Sequence, residues 1–484
     1  MDQSKTPIYS ALVKHRNKEN ISFHVPGHKN GSVFFETAKE LYKNILEIDV
    51  TEISGMDDLH YPTGIIKDAQ QLTAHLYGSK SSYFLVGGST VGNLAMIMSM
   101  VGTGDQILIQ RNSHQSVFHA VELSGAMAIY LEPEIDIETG LSLGVSISVL
   151  KEAISRYPNA KAIVLTNPTY EGYGQSLYKH VKIAHEANIY IFVDEAHGAH
   201  LLVEDNRWPM SAMKAGADIV VHSAHKMLPA MTMSSFLHIN SERIDENKVR
   251  QYLKMLQSSS PSYPLMASLD VARAYLAKMV SDGCEKVTNE LMELKKELME
   301  GETWHLAPPI IGDYRQDPLK LTFLTKGNAS AYEWQENFES YGMYPELVTP
   351  NHLILTLPFS IEGIANTRKL CNDIKTCLFI QNFLEAGVKL SNIIYNKQHI
   401  SEPILSLEEL NKVSKKHVYL EESLGEIAAE TVTPYPPGVP LILRGEEIQS
   451  FHIEKLKFLK NNDVYFQTGD LWKEIGICVV NYSR

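Results

Sequence analysis

Cysteine is scarce in this chain: its 484 residues hold four, Cys284, Cys371, Cys377 and Cys478, none in CxxC spacing. That argues against a disulfide framework, a zinc ribbon and a dithiol redox centre, and a reducing cytoplasm is the expected setting. Long uncharged apolar runs are missing too. No window reaches the roughly 18 residues a membrane helix requires, and the N-terminal MDQSKTPIYSALVKHRNKEN lacks the apolar core of a secretion signal. Neither a membrane association nor secretion is therefore expected. Positive charge is also in deficit. Forty-four basic against 57 acidic residues leave a formal charge of −13, the wrong sign for a phosphate-backbone binder, so no nucleic-acid partner is expected. HExxH is absent. His24/His28 and His197/His200 have HxxxH and HxxH spacing, but Pro26 and Gly27 inside the first pair preclude a helical zinc clamp, and no metal is expected.

What remains is an ordinary globular composition on a chain longer than the roughly 250 to 300 residues one core supports, which predicts two or three domains. Short apolar β runs alternate with helical periodicity, the mark of βαβ units and a mainly parallel sheet. The strand candidates are SSYFLV (81–86), DQILIQ (105–110), AMAIYL (126–131), AKAIVLT (160–166), IYIFVD (189–194), DIVVHS (218–223) and SSFLHI (234–239). Helices are expected in VGNLAMIMSMV, SVLKEAISRY and LYKHVKIAHEA between them, and in two long stretches between 243 and 300. The expected organisation is an N-terminal segment (1–65), a large α/β domain (66–300), a smaller α+β domain (301–390) with a helix from Ile361, and a C-terminal α+β domain (391–484). Four prolines and two glycines in TVTPYPPGVPLILRGEE rule out a long helix there.

Ligands on open parallel sheets bind beyond the carboxyl ends of the strands, so the residues just after each strand matter most. GGST (87–90) opens a helix and offers free N–H groups and hydroxyls to a phosphate. RNSHQS brings His114, NPTYEG follows the fourth strand, and DEAHGAH brings Asp194 to the end of a buried strand, where a carboxylate is costly unless paired. Lys226 lies 32 residues further on, after VVHS. A phosphate site (Ser89, Thr90, with Ser223 adding a hydroxyl), an aromatic platform (His114), a carboxylate for a protonated pyridine nitrogen (Asp194) and an amine (Lys226) together suit pyridoxal 5′-phosphate.

The motifs HVPGHKNG (24–31), MDDLHYPTGII (56–66), SAHK, SSSPSYPLMASLD (258–270) and TVTPYPPGVPLILRGEEI (431–448) resemble the Orn/Lys/Arg decarboxylase family of fold-type I, aspartate aminotransferase-like enzymes, in the short form found in Gram-positive bacteria. The resemblance spans nearly the whole chain. It implies Lys226 as Schiff-base lysine, Asp194 on the pyridine nitrogen, His114 stacked on the ring, and Ser89, Thr90, Ser223 and His225 near the phosphate. It places His197 close to ring or substrate. It implies a homodimer in which Ser259, within SSSPSY, reaches the neighbouring subunit's phosphate, and a reaction that decarboxylates arginine, lysine or ornithine. Departures from the family pattern are GST for GTS, Leu228 and Pro229 after the lysine where glycines are common, Met233 for glutamine, and Glu426 for arginine. They bear on substrate identity. Glu422, Glu426, Glu430, Asp57 and Asp58 are candidates to receive the substrate's distal cation.

Two rival readings stand beside this one. An aminotransferase usually clamps the α-carboxylate with an arginine in a small-domain strand, but NHLILTLPF has none, although Arg368 is an alternative source. A catalytically silent regulatory homologue would tolerate the departures near Lys226.

Overall fold

In a computed structural model of the chain, all residues are described except 19, 361, 363–366, 381–397, 436–437, 463, 468–471, 482–484 and the side chains of 367 and 368. Ile361, Pro436, Pro437, the 390/391 boundary and the Arg368 side chain thus lie outside the described set. Strands β1 (Ser81–Leu85), β2 (Gln106–Gln110), β3 (Met127–Leu131), β4 (Ala162–Thr166), β5 (Tyr173–Gly174), β6 (Tyr190–Asp194), β7 (Ile219–His222) and β8 (Ser235–Ile239) come first in chain order. Apart from the two-residue β5, each falls within one of the seven apolar runs singled out above. These runs carry apolar residues on both faces, as a sheet covered by helices on both sides demands.

Two compact units divide the chain: Met1–Met100, Tyr190–Glu204 and Met210–Cys284 form the first, and Val101–Ile189, Asp205–Pro209 and Glu285–Arg484 the second. In the first, the strand order is β1-β8-β7-β6. β7 is parallel to β6, while β8 runs against both β7 and β1, so three of these four strands point the same way. The helix Gly88–Met98 packs close against this sheet because Gly92 has no side chain: a Cβ there would meet Val221 at 2.7 Å and Leu85 at 2.8 Å. The helix Ile65–Tyr77 is held at its start by Asp57, whose carboxylate accepts the N–H groups of Thr63, Gly64, Ile66 and Lys67. Gly78 ends it in the left-handed conformation, φ +68°. Residues 1–16 belong to the same unit. Buried Arg273 donates to Asp270 at 2.8 Å and to the carbonyls of Gln3 and Lys5, and Asp270 accepts the N–H of Ile8 at 2.9 Å.

The second unit holds β4-β2-β3 in parallel, with β15 (Ile400–Ser401) antiparallel on β3. Strands β9 (Trp304–Leu306), β12 (Lys320–Thr325), β13 (Leu347–Val348) and β14 (His352–Thr356) form an antiparallel sheet in the order β13-β14-β12-β9, and β10 (Ile310–Ile311) and β11 (Tyr314–Gln316) join β5. Between Ser423 and Gln449 no helix forms among the described residues, in line with the proline and glycine content there. The C-terminal residues have their own apolar cluster, which includes Ile442, Leu456, Phe466 and Val479.

Arg111 is the charged anchor of this unit. Its guanidinium meets the Glu446 carboxylate through Nε (3.1 Å) and Nη2 (2.9 Å) and donates to the carbonyls of Pro440 and Leu441. Both side chains are buried, and removing one partner strands the other's charge out of water. Glu446→Ala is therefore expected to destabilise this unit by about 3 to 5 kcal/mol, seen as a lower denaturant midpoint. A midpoint equal to wild type would mean the pair contributes nothing.

Candidate active site

The site assembles in the first unit from the carboxyl ends of β6 and β7 and the start of the helix Gly88–Met98. Gly87 caps this helix without a side-chain acceptor, so the first N–H groups have no intrahelical partner, the arrangement that receives anions. Gly88 takes φ +77°, a conformation costly for residues with a Cβ, and donates its N–H to the Met233 carbonyl at 2.9 Å. That bond ties the turn to the loop after Lys226. Met233 itself adopts φ +77°, strain that a well-packed surrounding must offset. Part of that packing is visible in Ser268, which accepts the Met231 N–H at 3.2 Å and lies 3.0 Å from Ser234 Oγ.

Ser89 and Asn93 sit one helical turn apart and face the two strand ends. Ser223 Oγ donates to Ser89 Oγ at 2.6 Å, and Asn93 Nδ2 donates to Asp194 Oδ2 at 2.8 Å. The other carboxylate oxygen of Asp194 accepts the Ala196 N–H at 3.1 Å. Asp194 is buried, and these two donors stabilise its charge and fix its orientation. Lys226 Nζ lies 3.1 Å from His197 Nε2. For an ammonium to donate there, the imidazole has to present an unprotonated Nε2. His225 directs Nδ1 to the Ser234 carbonyl at 3.0 Å, and its pKa is lowered chiefly by burial, with the Lys226 charge acting the same way. Thr90 is exposed at the second residue after the glycine pair.

His114 belongs to the second unit. There it caps the helix Gln115–Ser124, with Nδ1 accepting the Ser116 N–H at 3.2 Å and lying 2.8 Å from Ser116 Oγ. A ring that accepts at Nδ1 carries its proton on Nε2. Ser259 is exposed in the segment leading into the helix Tyr263–Ser281.

Four of the five acidic candidates for a distal cation have other partners. Asp57 serves the helix start described above, and Asp58 accepts the His60 N–H at 2.7 Å. Glu426 pairs with Lys416 at 3.3 Å and Glu430 with Lys415 at 3.7 Å, while Glu422 is exposed in a short turn. Asn93 was not picked out from the sequence, although its place four residues after Ser89 on one helix face was a usable signal. Nor were Glu195, His222 and His238. The usable signal for these was the presence of two histidines inside otherwise apolar strand runs.

An amine, a buried carboxylate and a hydroxyl pair beside free helix N–H groups form a donor and acceptor set that fits a phosphorylated pyridine aldehyde. Lys226 would bind the aldehyde carbon, Asp194 the ring nitrogen, and Ser89 with Ser223 the phosphate.

Comparison with known proteins agrees in family and in fold. The chain matches the profile "Orn/Lys/Arg decarboxylase, major domain" over residues 6–385 and "Orn/Lys/Arg decarboxylase, C-terminal domain" over 392–467. It is 44% identical over 474 residues to the uncharacterised protein YaaO of Bacillus subtilis, with 96% of each chain covered. An arginine decarboxylase of Bacillus subtilis is 33% identical over 480 residues, covering 96% of this chain and 95% of that protein. Among solved structures, the Francisella novicida lysine decarboxylase LdcF superimposes with a TM-score of 0.82 at 20% identity, over 98% of this chain and 81% of that one, which establishes the likeness of fold. No described helix is long and apolar enough to cross a membrane.

Proposed function

Because this chain belongs to the Orn/Lys/Arg decarboxylase family, we propose that it is a pyridoxal-phosphate-dependent carboxy-lyase acting on a basic amino acid, arginine, lysine or ornithine. One observation carries the reading: Lys226 and the buried, doubly hydrogen-bonded Asp194 stand at neighbouring strand ends beside the Ser89–Ser223 hydroxyl pair. When bound, the cofactor supplies an electron sink for the carbanion left as CO₂ departs. Asp194 would hold the proton on the ring nitrogen, and Asn93 holds the carboxylate in place to do so. Ser89, Ser223 and the helix N–H groups that follow Gly88 would hold the phosphate. Lys226 moves a proton at its Nζ, with His197 Nε2 as the nearby acceptor. β14, the run where an aminotransferase usually carries its carboxylate-binding arginine, has none, and a carboxylate about to leave gains where no arginine stabilises its ground state.

The test is an assay of CO₂ release from a panel of arginine, lysine, ornithine and related amino acids, with the protein loaded with cofactor. Release from one or more basic amino acids is expected. No release from any of them, or transfer of the amino group instead, would overturn the reading.

We further infer a homodimer. Ile21, Phe23 and Leu41 are 82%, 91% and 84% exposed, and Val33, Phe35 and Tyr61 are exposed with them, an apolar concentration unusual for a free surface. Phe23→Asp combined with Leu41→Glu is expected to lower the mass measured by light scattering from two chains to one. Retention of the wild-type mass would exclude this surface from the contact.

A further inference from the structure

Asp194 and Ser223 serve the cofactor side of their strands. Side chains alternate along a strand, and the Glu195 N–H continues the β6–β7 ladder by donating to the Val221 carbonyl at 3.0 Å, so Glu195 and His222 point to the opposite face. On that face a continuous polar ladder crosses the unit. His222 Nε2 lies 2.7 Å from Glu195 Oε2, His222 Nδ1 lies 3.1 Å from His238 Nε2, and His238 Nδ1 lies 2.7 Å from Ser82 Oγ. Ser82 then meets the half-buried Ser79 at 2.8 Å. The members come from β1, β8, β7 and the residue following β6, which is the order of the strands in the sheet. Glu195, His222 and His238 are all 0% exposed.

Two further donors reach Glu195, Ser211 Oγ at 2.8 Å and the Ala212 N–H at 2.7 Å. With His222 that makes three donors on one carboxylate. Tyr77 also faces the ladder, its ring centroid lying 5.2 Å from that of His222 and 4.4 Å from that of His238. Tyr77 keeps its proton, raised by burial and by Glu195, and donates it to the Ala199 carbonyl at 2.6 Å. Burial holds the His238 imidazole well below the ordinary histidine range. Among the described residues no lysine or arginine forms an ion pair with Glu195. With the His238 imidazole neutral, the ladder is fully hydrogen-bonded when Ser82 donates to His238, His238 to His222, and His222 to Glu195.

We propose that this ladder is a positioning device for the reaction read above: Glu195 and His222 hold the ends of β6 and β7, and thereby Asp194 and Ser223, while ionised Glu195 keeps one net negative charge behind Asp194. The inference rests on the pyridoxal-phosphate reading. Its electrostatic consequence is that positive charge on the cofactor side is stabilised.

Glu195→Gln separates charge from geometry. The glutamine carbonyl still accepts from Ala212. Its amide donates to Ser211 Oγ and His222 Nε2, and the two imidazoles reverse so that His222 donates to His238 and His238 to Ser82. Every bond survives and the charge is gone. In the cofactor-loaded protein, the pH midpoint of the absorbance near about 420 nm is expected to fall by about one unit in this variant. His222→Gln keeps a neutral donor and acceptor in the same places and is expected to leave the midpoint unchanged. Glu195→Leu, which removes the bonds as well, is expected to weaken cofactor binding by the apoprotein by about tenfold or more. An unmoved midpoint in Glu195→Gln, or a raised one in His222→Gln, would overturn the charge assignment, and wild-type cofactor affinity in Glu195→Leu would overturn the positioning role. Wild-type protein that takes up no chromophore would defeat the cofactor reading itself, a result distinct from all of these.

Discussion

Replacing Lys226 with alanine is expected to lower decarboxylation by about 10⁴-fold or more and to leave the protein without absorbance near about 420 nm after incubation with pyridoxal phosphate. Two contributions are lost together. On the proposed reading the amine is the nucleophile that follows β7 beside the hydroxyl pair, and it would also exchange a proton close to His197 Nε2, 3.1 Å away. The fold should survive, because Lys226 is half-buried at the end of a four-residue helical turn, whereas the surrounding strand β7 is buried throughout. The measurement is CO₂ release alongside the absorbance spectrum and circular dichroism. A Lys226→Ala protein with wild-type release would remove this residue from the chemistry altogether.

Asp194→Asn is expected to reduce turnover by about 10²- to 10³-fold with little change in the apparent affinity for the amino acid. The carboxylate matters for its charge, since only an anion keeps a pyridine nitrogen protonated at neutral pH. The substitution preserves shape. Asn93 can rotate its amide to present Oδ1 to the new NH₂ group, and the Ala196 N–H can still be accepted by the remaining oxygen, so the loss isolates the charge. Kinetics at saturating substrate would reveal it as a fall in kcat at constant KM. Equal falls in kcat/KM from weaker substrate binding alone would point instead to a role in holding substrate.

The position of these two residues, at and just after strand ends, was legible in the sequence because of a local rule. A β-branched run that ends in an ionisable residue marks a strand end, and strand ends of an open α/β sheet face the ligand. The same rule located Ser223 and the GGST turn. It carried over to the strands themselves: runs of four to six apolar residues are read directly from the order of residues, and the structure begins and ends them within a residue or two. The loop MLPAMTM after Lys226 was visible only as a departure from the family pattern. Its physical content, a left-handed Met233 whose carbonyl accepts the Gly88 N–H, depends on contact between residues about 145 positions apart in the chain, counting from 88 to 233.

The acidic residues proposed for a distal cation show the limit from the other side. Glu426 and Glu430 looked available because a sequence does not reveal Lys416 and Lys415 across the turn. Asp57 is a cation candidate in the sequence, yet it accepts four backbone N–H groups at a helix start.

By itself, then, the sequence determined where strands and helices lie, which residues end the strands, and the family whose motifs they carry. Those properties follow from periodicity and from residues near one another in the chain. The tertiary structure alone decided that Asn93 orients Asp194 and that Ser82, His238, His222 and Glu195 form one buried ladder. The reason is strand order: β1 lies beside β8 although about 150 residues separate them, counting from 85 to 235, and no local pattern in a chain encodes which distant strands become neighbours.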